Sequence, residues 1–167
     1  MEAEYFRLLF DYSYWARDRL LRAASGMTAE EYARPNGFTY GSIRGILTHA
    51  MRAEALYLTR WQGEQVSPVQ IDQEAVPTVE TLDSRWRSEE AKLRAFLEAL
   101  DDADVKREII SVRRDGTDFR RPLWQDLTHV VNHSTVHRSE AAEALTMVGR
   151  SPGDLDFSTY LPTRGWR

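Results

Sequence analysis

Apolar residues recur at three- and four-residue steps in four long segments of this chain, which is the periodicity of amphipathic helices. In the first segment Tyr5, Leu8 and Tyr12 follow this step, and the apolar stripe continues to Ala23. The four helices that the pattern predicts span residues 5–23, 43–61, 78–100 and 123–148. Each has about 20 residues, enough for five or more helical turns.

Residues that start and stop helices lie at the ends of these segments. Ser42 and Thr78 can cap the second and third helices with their hydroxyl oxygens, and Pro122 suits the first turn of the last one. Gly26 and Gly149 are placed to end the first and last helices, because glycine readily adopts the left-handed conformation found there. Capping chemistry and periodicity therefore predict the same boundaries.

The segment between the third and fourth helices, "VKREIISVRRDGTDFRRP", predicts two short strands. β-branched residues flank Asp115 and Gly116, a dipeptide typical of two-residue hairpin turns. Four helices with this small β-hairpin or extended loop predict an all-α four-helix bundle, formed by residues 1–167 as a single domain. The long connectors after the first and second helices are candidates for crossovers. In the tail, Phe157 and Tyr160 are expected to pack back on the bundle.

Composition narrows the function classes. The 167 residues carry a formal net charge of −4, and no long lysine or arginine cluster occurs, which argues against nucleic-acid binding. There is no cysteine, so the chain offers no disulfide, thiolate metal ligand or cysteine nucleophile. The amino-terminal segment lacks the basic and apolar regions of a signal peptide, and no stretch resembles a membrane span. A cytoplasmic protein that binds neither nucleic acid nor membrane is expected.

Three of the four histidines fall in "HVVNHSTVHRSE" at four-residue spacing. His129, His133 and His137 share one face of the predicted last helix, because residues four apart lie about 40° apart around the axis. The outer two are about 12 Å apart along the axis, so only an adjacent pair can hold one metal ion. Spacing leaves two choices, 129/133 or 133/137, and either pair needs a third ligand from elsewhere.

His49 is the remaining histidine and the candidate third ligand. It borders the apolar stripe of the second helix beside Ile46 and Ala50, so it is expected to point into the bundle or along its edge. Three neutral imidazoles leave one coordination position open, as in catalytic zinc sites where a bound water becomes acidic near a pH of about 7. A divalent metal ion is the predicted cofactor. A hydrogen-bonded core histidine is the competing interpretation for each of these residues.

The segments "GSIRGILTHAMRAEALYLTRWQGE" and "PLWQDLTHVVNHSTVHRSE" resemble the DinB/YfiT-like family of bacterial proteins, which is unrelated to the DNA polymerase of similar name. The last helix of that family follows approximately the pattern H-V-x-N-H-x-x-H-H-R-G-Q. The opening "LFDYSYWARDRLL" and the closing "DFSTYL" also match, so the resemblance covers nearly the whole chain. It implies a four-helix bundle, often a homodimer, with a divalent metal held by His49, His133 and His137.

The same resemblance implies a set of activities. Relatives include bacillithiol-dependent thiol S-transferases and a mycothiol-dependent maleylpyruvate isomerase, and others are described as metal-dependent hydrolases. The implied function is therefore a hydrolase, or a transferase that joins a low-molecular-weight thiol to a small electrophile, with zinc or nickel as the metal. A non-catalytic metal-binding bundle with a structural role in stress responses is the alternative.

Two positions depart from the family pattern. Val136 and Glu140 stand where the pattern has histidine and glutamine. Glu140 lies three residues after His137 on the same helical face, so its carboxylate could orient that imidazole through a hydrogen bond. A solvated or salt-bridged glutamate is the competing interpretation. His129 and Asp126, which lies three residues before it, are the other candidates to support the ligands in this way.

Overall fold

The computed structural model describes residues 2–64, 72–112 and 118–166, and helices dominate these residues. The α-helices are α1 (Ala3–Ala24), α2 (Ala29–Ala33), α3 (Ile43–Trp61), α4 (Val79–Ala99), α5 (Leu123–Met147) and α6 (Phe157–Tyr160). Two strands, β1 (Glu108–Val112) and β2 (Asp118–Pro122), lie between α4 and α5. The predicted all-α bundle with a small hairpin before the last helix is therefore confirmed.

The long helices begin and end close to where capping chemistry predicted. Ser42 caps α3 by accepting the Gly45 N–H at 3.0 Å, and Thr78 caps α4 with its side chain in the same way. Gly149 follows the end of α5 with a φ of 77°, in the left-handed region. Pro122 is not inside the first turn of α5 but directly before it, as the last residue of β2.

The four long helices close into a ring in the order α1, α5, α3, α4, because α1 and α3 each pack against both α4 and α5. Helix α1 therefore lies diagonally across from α3, and α4 across from α5. The connector after α1 crosses the bundle as predicted. The prediction of a crossover after the second long helix is wrong, because α3 and α4 are neighbours. The hairpin segment makes the second crossing, and β1 contacts α3 on the way.

A polar layer separates two apolar clusters inside the bundle. One cluster gathers the end of α1, the start of α3 and the end of α5, and the other gathers the opposite ends of the same helices. Between them, Arg17, Glu54, Ser134 and Arg138 are buried at the middle of the helices. Buried charges require nearby partners, so this layer restricts how the four helices can be arranged relative to one another.

The hairpin and the tail both lie where sequence predicted. The strands pair antiparallel with Glu108 opposite Pro122, whereas the turn predicted at residues 115–116 lies outside the described residues. In the tail, Phe157 and Tyr160 pack around the Tyr12 ring at centroid distances of 5.1 and 5.9 Å, which confirms that the tail packs on the bundle. None of the described helices is long and apolar enough to cross a membrane.

Candidate metal centre

Three histidine side chains from two helices converge at the level of the polar layer. The Nε2 atom of His133 lies 3.1 Å from His49 Nε2 and 3.2 Å from His137 Nε2. The ligand atoms of all three residues lie within 4.8 Å of one another. The same nitrogen of each imidazole therefore faces a common point, which is the arrangement that a shared metal ion requires.

The spacing of these nitrogens matches metal coordination. Two imidazole nitrogens bound to one zinc ion at 2.0–2.1 Å with tetrahedral angles lie about 3.3 Å apart. The separations of 3.1 and 3.2 Å are close to that value. Within the described chain, no further histidine, aspartate or glutamate joins the group. The three residues could hold a divalent ion and would leave part of its coordination sphere to a small molecule.

Helix geometry explains why these residues meet. Helices α3 and α5 are direct neighbours, and His49 sits in the amino-terminal half of α3. His133 and His137 are one turn apart on α5, so their side chains point from the same face. His137 is only 8% exposed, while His49 and His133 are half-buried. The site is thus anchored on the bundle interior and reachable from solvent on its outer side.

Glu140 fixes the orientation of one imidazole. His137 donates its Nδ1–H to Glu140 Oε2 at 2.7 Å. A neutral imidazole carries one proton, so a proton held at Nδ1 leaves the Nε2 lone pair free to bind a cation. The carboxylate contact thus favours the tautomer of His137 that a metal ligand needs. Val136, which replaces the family histidine, is 50% exposed and contributes no ligand atom to the group.

The imidazoles of His49 and His133 are held in the neutral state that metal binding requires. Burial and the neighbouring imidazoles of His137 and His133 lower the pKa of His49 to about 4. Burial together with His137 and His129 lowers the pKa of His133 to about 4 as well. At neutral pH both rings therefore keep a free lone pair and present no positive charge that would repel a cation.

His129 is near the three converging histidines but is not one of them. Its ring centroid lies 5.7 Å from that of His133, and it packs against the Tyr57 ring at 5.2 Å on the exposed side of α5. Asp126 has other partners: it accepts the Trp61 Nε1–H at 3.2 Å and pairs with the Arg121 guanidinium. Neither of these two partners of Asp126 is one of the three converging histidines.

A buried carboxylate lies beside the site. Glu54 is 3% exposed and accepts hydrogen bonds from Trp86 Nε1 at 2.8 Å and Ser134 Oγ at 3.3 Å. Burial raises the pKa of Glu54, while nearby Arg17 and Arg138 oppose that rise. Its hydrogen-bond donors are an indole and a hydroxyl, and the two arginines act on it through their charge.

Tyr40 is a site residue that sequence reasoning missed. Its ring stacks on His49 with 3.8 Å between centroids and 17° between planes, and it meets His137 edge-on at 5.1 Å. Tyr40 lies in the loop before α3, outside any helical repeat, so periodicity could not assign it to a face. The available signal was an aromatic residue two positions before the Ser42 cap of a histidine-bearing helix.

Comparisons with known proteins identify the family of this chain. The DinB family profile matches residues 1–167 of this chain. The protein named Protein DinB from Bacillus subtilis (strain 168) is 20% identical over 163 residues, which cover 92% of this chain and 91% of that protein. The similarity therefore extends over nearly the full length of both sequences. With a family match over the whole chain, this protein belongs to the DinB family.

Proposed function

We propose that this protein is a metal-dependent enzyme that acts on a small electrophile, either as a hydrolase or as a transferase of a low-molecular-weight thiol. The observation that carries the proposal is the convergence of the Nε2 atoms of His49, His133 and His137 at 3.1 and 3.2 Å, with no fourth side-chain ligand among the described residues. Three protein ligands with an open position are typical of catalytic rather than structural zinc sites.

A divalent ion held by these three histidines would supply a Lewis acid, able to lower the pKa of a water or a thiol so that its anion is available as a nucleophile near neutral pH. Because the chain has no cysteine, any thiol in the reaction has to arrive as a small co-substrate. The half-buried positions of His49 and His133 give such a molecule access to the site. Glu140 keeps a proton on His137 Nδ1 and thereby holds that ring in its ligand tautomer.

Zinc or nickel is the proposed metal. Neutral imidazole ligands suit both ions, and thiolate ligands are excluded because the chain has no cysteine. The homodimer that the family resemblance implies and the cytoplasmic location expected from the sequence belong to the same proposal. Sedimentation velocity of the purified protein tests the first, and fractionation of the producing cells tests the second.

A non-catalytic bundle, in which a metal only ties α3 to α5, is the alternative function. Such a structural site is normally closed by four protein ligands, whereas three side chains form this group within the described chain. The two functions therefore differ in what they predict for the fourth position. A protein side chain at that position in a metal-bound crystal structure would support the structural role.

Both functions require a bound metal, which metal analysis of the protein purified without a histidine tag tests. A substrate screen tests catalysis. We expect about one equivalent of zinc or nickel per chain. The holo-protein is then incubated with activated esters and alkylating electrophiles, with and without bacterial low-molecular-weight thiols. The matched control is the His137→Ala variant under the same conditions. Turnover by the parent but not by the variant supports the enzyme. Full metal loading without turnover of any electrophile supports the structural alternative.

The contact between Glu140 and His137 gives a smaller, separate prediction. Glu140→Ala should lower metal affinity about tenfold, the usual effect of removing a hydrogen-bond partner from a ligating histidine. Glu140→Gln should stay within about threefold of the parent, because an amide oxygen still accepts the Nδ1–H although the charge is lost. Competition with a chromogenic chelator measures both. Glu143→Ala, on an exposed part of α5, is the control. Equal affinities for the Glu140→Ala and Glu143→Ala variants would contradict this role.

A further inference from the structure

Among the described residues, no hydrogen bond from outside the converging histidines sets the ring orientation of His49. His137 is held through Nδ1 by Glu140, but the hydrogen bonds of the described residues give no partner to Nδ1 of His49, and none to the buried Nδ1 of His133. The second side-chain torsion of histidine has a broad energy minimum, so an unsupported imidazole samples many ring planes. Something else must hold this ring if its Nε2 is to face the other two.

The Tyr40 ring is in the right place to do so. It lies parallel to the His49 imidazole at 3.8 Å with 17° between the planes, so rotation of the imidazole would drive its edge into the tyrosine. The same ring abuts His137 nearly perpendicularly, at 81°. Tyr40 therefore occupies the corner between a ligand candidate on α3 and one on α5. Aromatic pairs of this kind have preferred geometries and stabilise one relative orientation.

The loop that carries Tyr40 is braced by its own backbone. Gly41 donates its N–H to the Phe38 carbonyl at 2.9 Å, and Asn36 donates to the Gly41 carbonyl at 3.0 Å. The Asn36 side chain also accepts the Phe38 N–H at 3.2 Å. These bonds form a compact turn directly before the Ser42 cap of α3. The position of the Tyr40 ring therefore depends on the turn as well as on the side chain.

Gly45 makes the approach of this turn possible. A Cβ atom at position 45 would lie far inside van der Waals distance of the Tyr40 carbonyl oxygen, and 3.0 Å from its carbonyl carbon. The obstacle is backbone rather than the flexible end of a side chain, so it cannot simply rotate away. Glycine in the first turn of α3 thus lets the backbone of Tyr40 rest against the helix that bears His49.

We infer that Tyr40 is a positioning residue that fixes the imidazole plane of His49, and that Gly45 is the residue that admits it. The inference rests on the proposed metal function, because its purpose is to pre-align one of three ligands. The ring performs this role and the hydroxyl is not needed for it. Tyr40→Phe should therefore behave as the parent, whereas loss of the ring or displacement of the turn should weaken metal binding.

Metal affinity of a variant series tests this inference, with zinc as the probe and chelator competition as the measurement. Tyr40→Ala should bind zinc about tenfold more weakly, and Tyr40→Phe should stay within about twofold of the parent. Gly45→Ala should also lose about tenfold, although alanine is the better helix former. Tyr57→Ala is the matched control, because the Tyr57 ring packs against His129 instead of a converging histidine, and the zinc affinity of this variant should not change.

A metal-free readout separates this inference from the proposed function. In the NMR spectrum of the apo-protein, the stacked Tyr40 ring should shift the carbon-bound protons of the His49 imidazole upfield, and Tyr40→Ala should remove that shift. Circular dichroism checks that Gly45→Ala still folds, and the Tyr40 variants decide the matter if it does not. Parent-like zinc affinity in Tyr40→Ala, or no ring shift in the apo-parent, would overturn the inference. A parent protein that binds no metal but shows the ring shift would contradict the proposed function and leave the positioning of His49 by Tyr40 supported.

Discussion

Replacing His49 or His137 with alanine is expected to lower metal affinity by roughly a thousandfold. Structural zinc sites with four protein ligands contribute about 10–16 kcal/mol of binding free energy, so at the upper end one ligand carries about 4 kcal/mol, or three factors of ten. Each variant removes one of the nitrogens that face the common point. Elemental analysis after desalting and chelator competition both report the loss. Neither His49 nor His137 belongs to the two large apolar clusters of the bundle, so both clusters stay intact in these variants.

His129 offers the matched control for these variants. It lies one turn before His133 on the same helix, with its ring 5.7 Å away, but it is outside the converging group. His129→Ala should therefore keep nearly full metal content. Retention of stoichiometric metal by both His49→Ala and His137→Ala would reject the three-histidine site. Loss of metal from His129→Ala with retention by His137→Ala would instead identify 129/133 as the ligand pair.

Substitution of Glu54 should have the largest effect on folding stability among polar positions near the site. Glu54→Ala leaves the Trp86 indole and the Ser134 hydroxyl buried without their acceptor, which should cost about 2–4 kcal/mol of unfolding free energy. Glu54→Gln keeps an amide that can bond to both groups. Because burial raises the pKa of Glu54, the ionised form is disfavoured in the folded protein, so the uncharged glutamine should be the more stable at neutral pH.

The difference in folding stability between the parent and Glu54→Gln is expected to change with pH. An acid whose pKa is higher in the folded than in the unfolded protein stabilises the fold fully at pH values below its unfolded pKa. That contribution is lost as the pH rises through the folded pKa. The stability of the parent should therefore fall relative to Glu54→Gln as the pH increases above the ordinary glutamate value of 4.5, and the two should converge below it.

Urea unfolding of the metal-free proteins between acidic and neutral pH measures these differences without interference from ligand binding. Glu89→Gln is a suitable control, because Glu89 is buried on α4 but bonds to Lys92 and Arg85 at the rim of the bundle. A Glu54→Gln protein less stable than the parent at neutral pH would mean that Glu54 mainly compensates the buried charges of Arg17 and Arg138. A parallel pH profile for the two proteins would contradict the raised pKa.

The helices could be predicted from the sequence because helix formation depends on residues that are close to one another along the chain. The periodicity of Tyr5, Leu8 and Tyr12, and the caps at Ser42 and Thr78, predicted helices that the structure contains with small boundary shifts. The i to i+4 spacing of His133 and His137 likewise guaranteed a common helix face. These features need only the helical repeat and the chemistry of helix ends.

Chain connectivity was harder to predict. The long connector after α3 suggested a crossover, yet α3 and α4 are neighbours and the hairpin segment links diagonal helices instead. A long connector can reach either a neighbouring or a diagonal helix, so its length does not decide which of the two comes next. The choice depends on which apolar faces pack together, and all four long helices carry such a face.

The sequence by itself determined the helices, the composition limits, a choice between two histidine pairs and His49 as the remaining candidate ligand, and its family resemblance favoured His133 and His137. Only the tertiary structure decided that the three Nε2 atoms face one point, that Glu54 rests between Trp86 and Ser134, and that Tyr40 covers His49. The physical reason is that these contacts join residues distant in sequence. Their geometry follows from helix packing and from a turn that Gly45 leaves room for, neither of which any local pattern encodes.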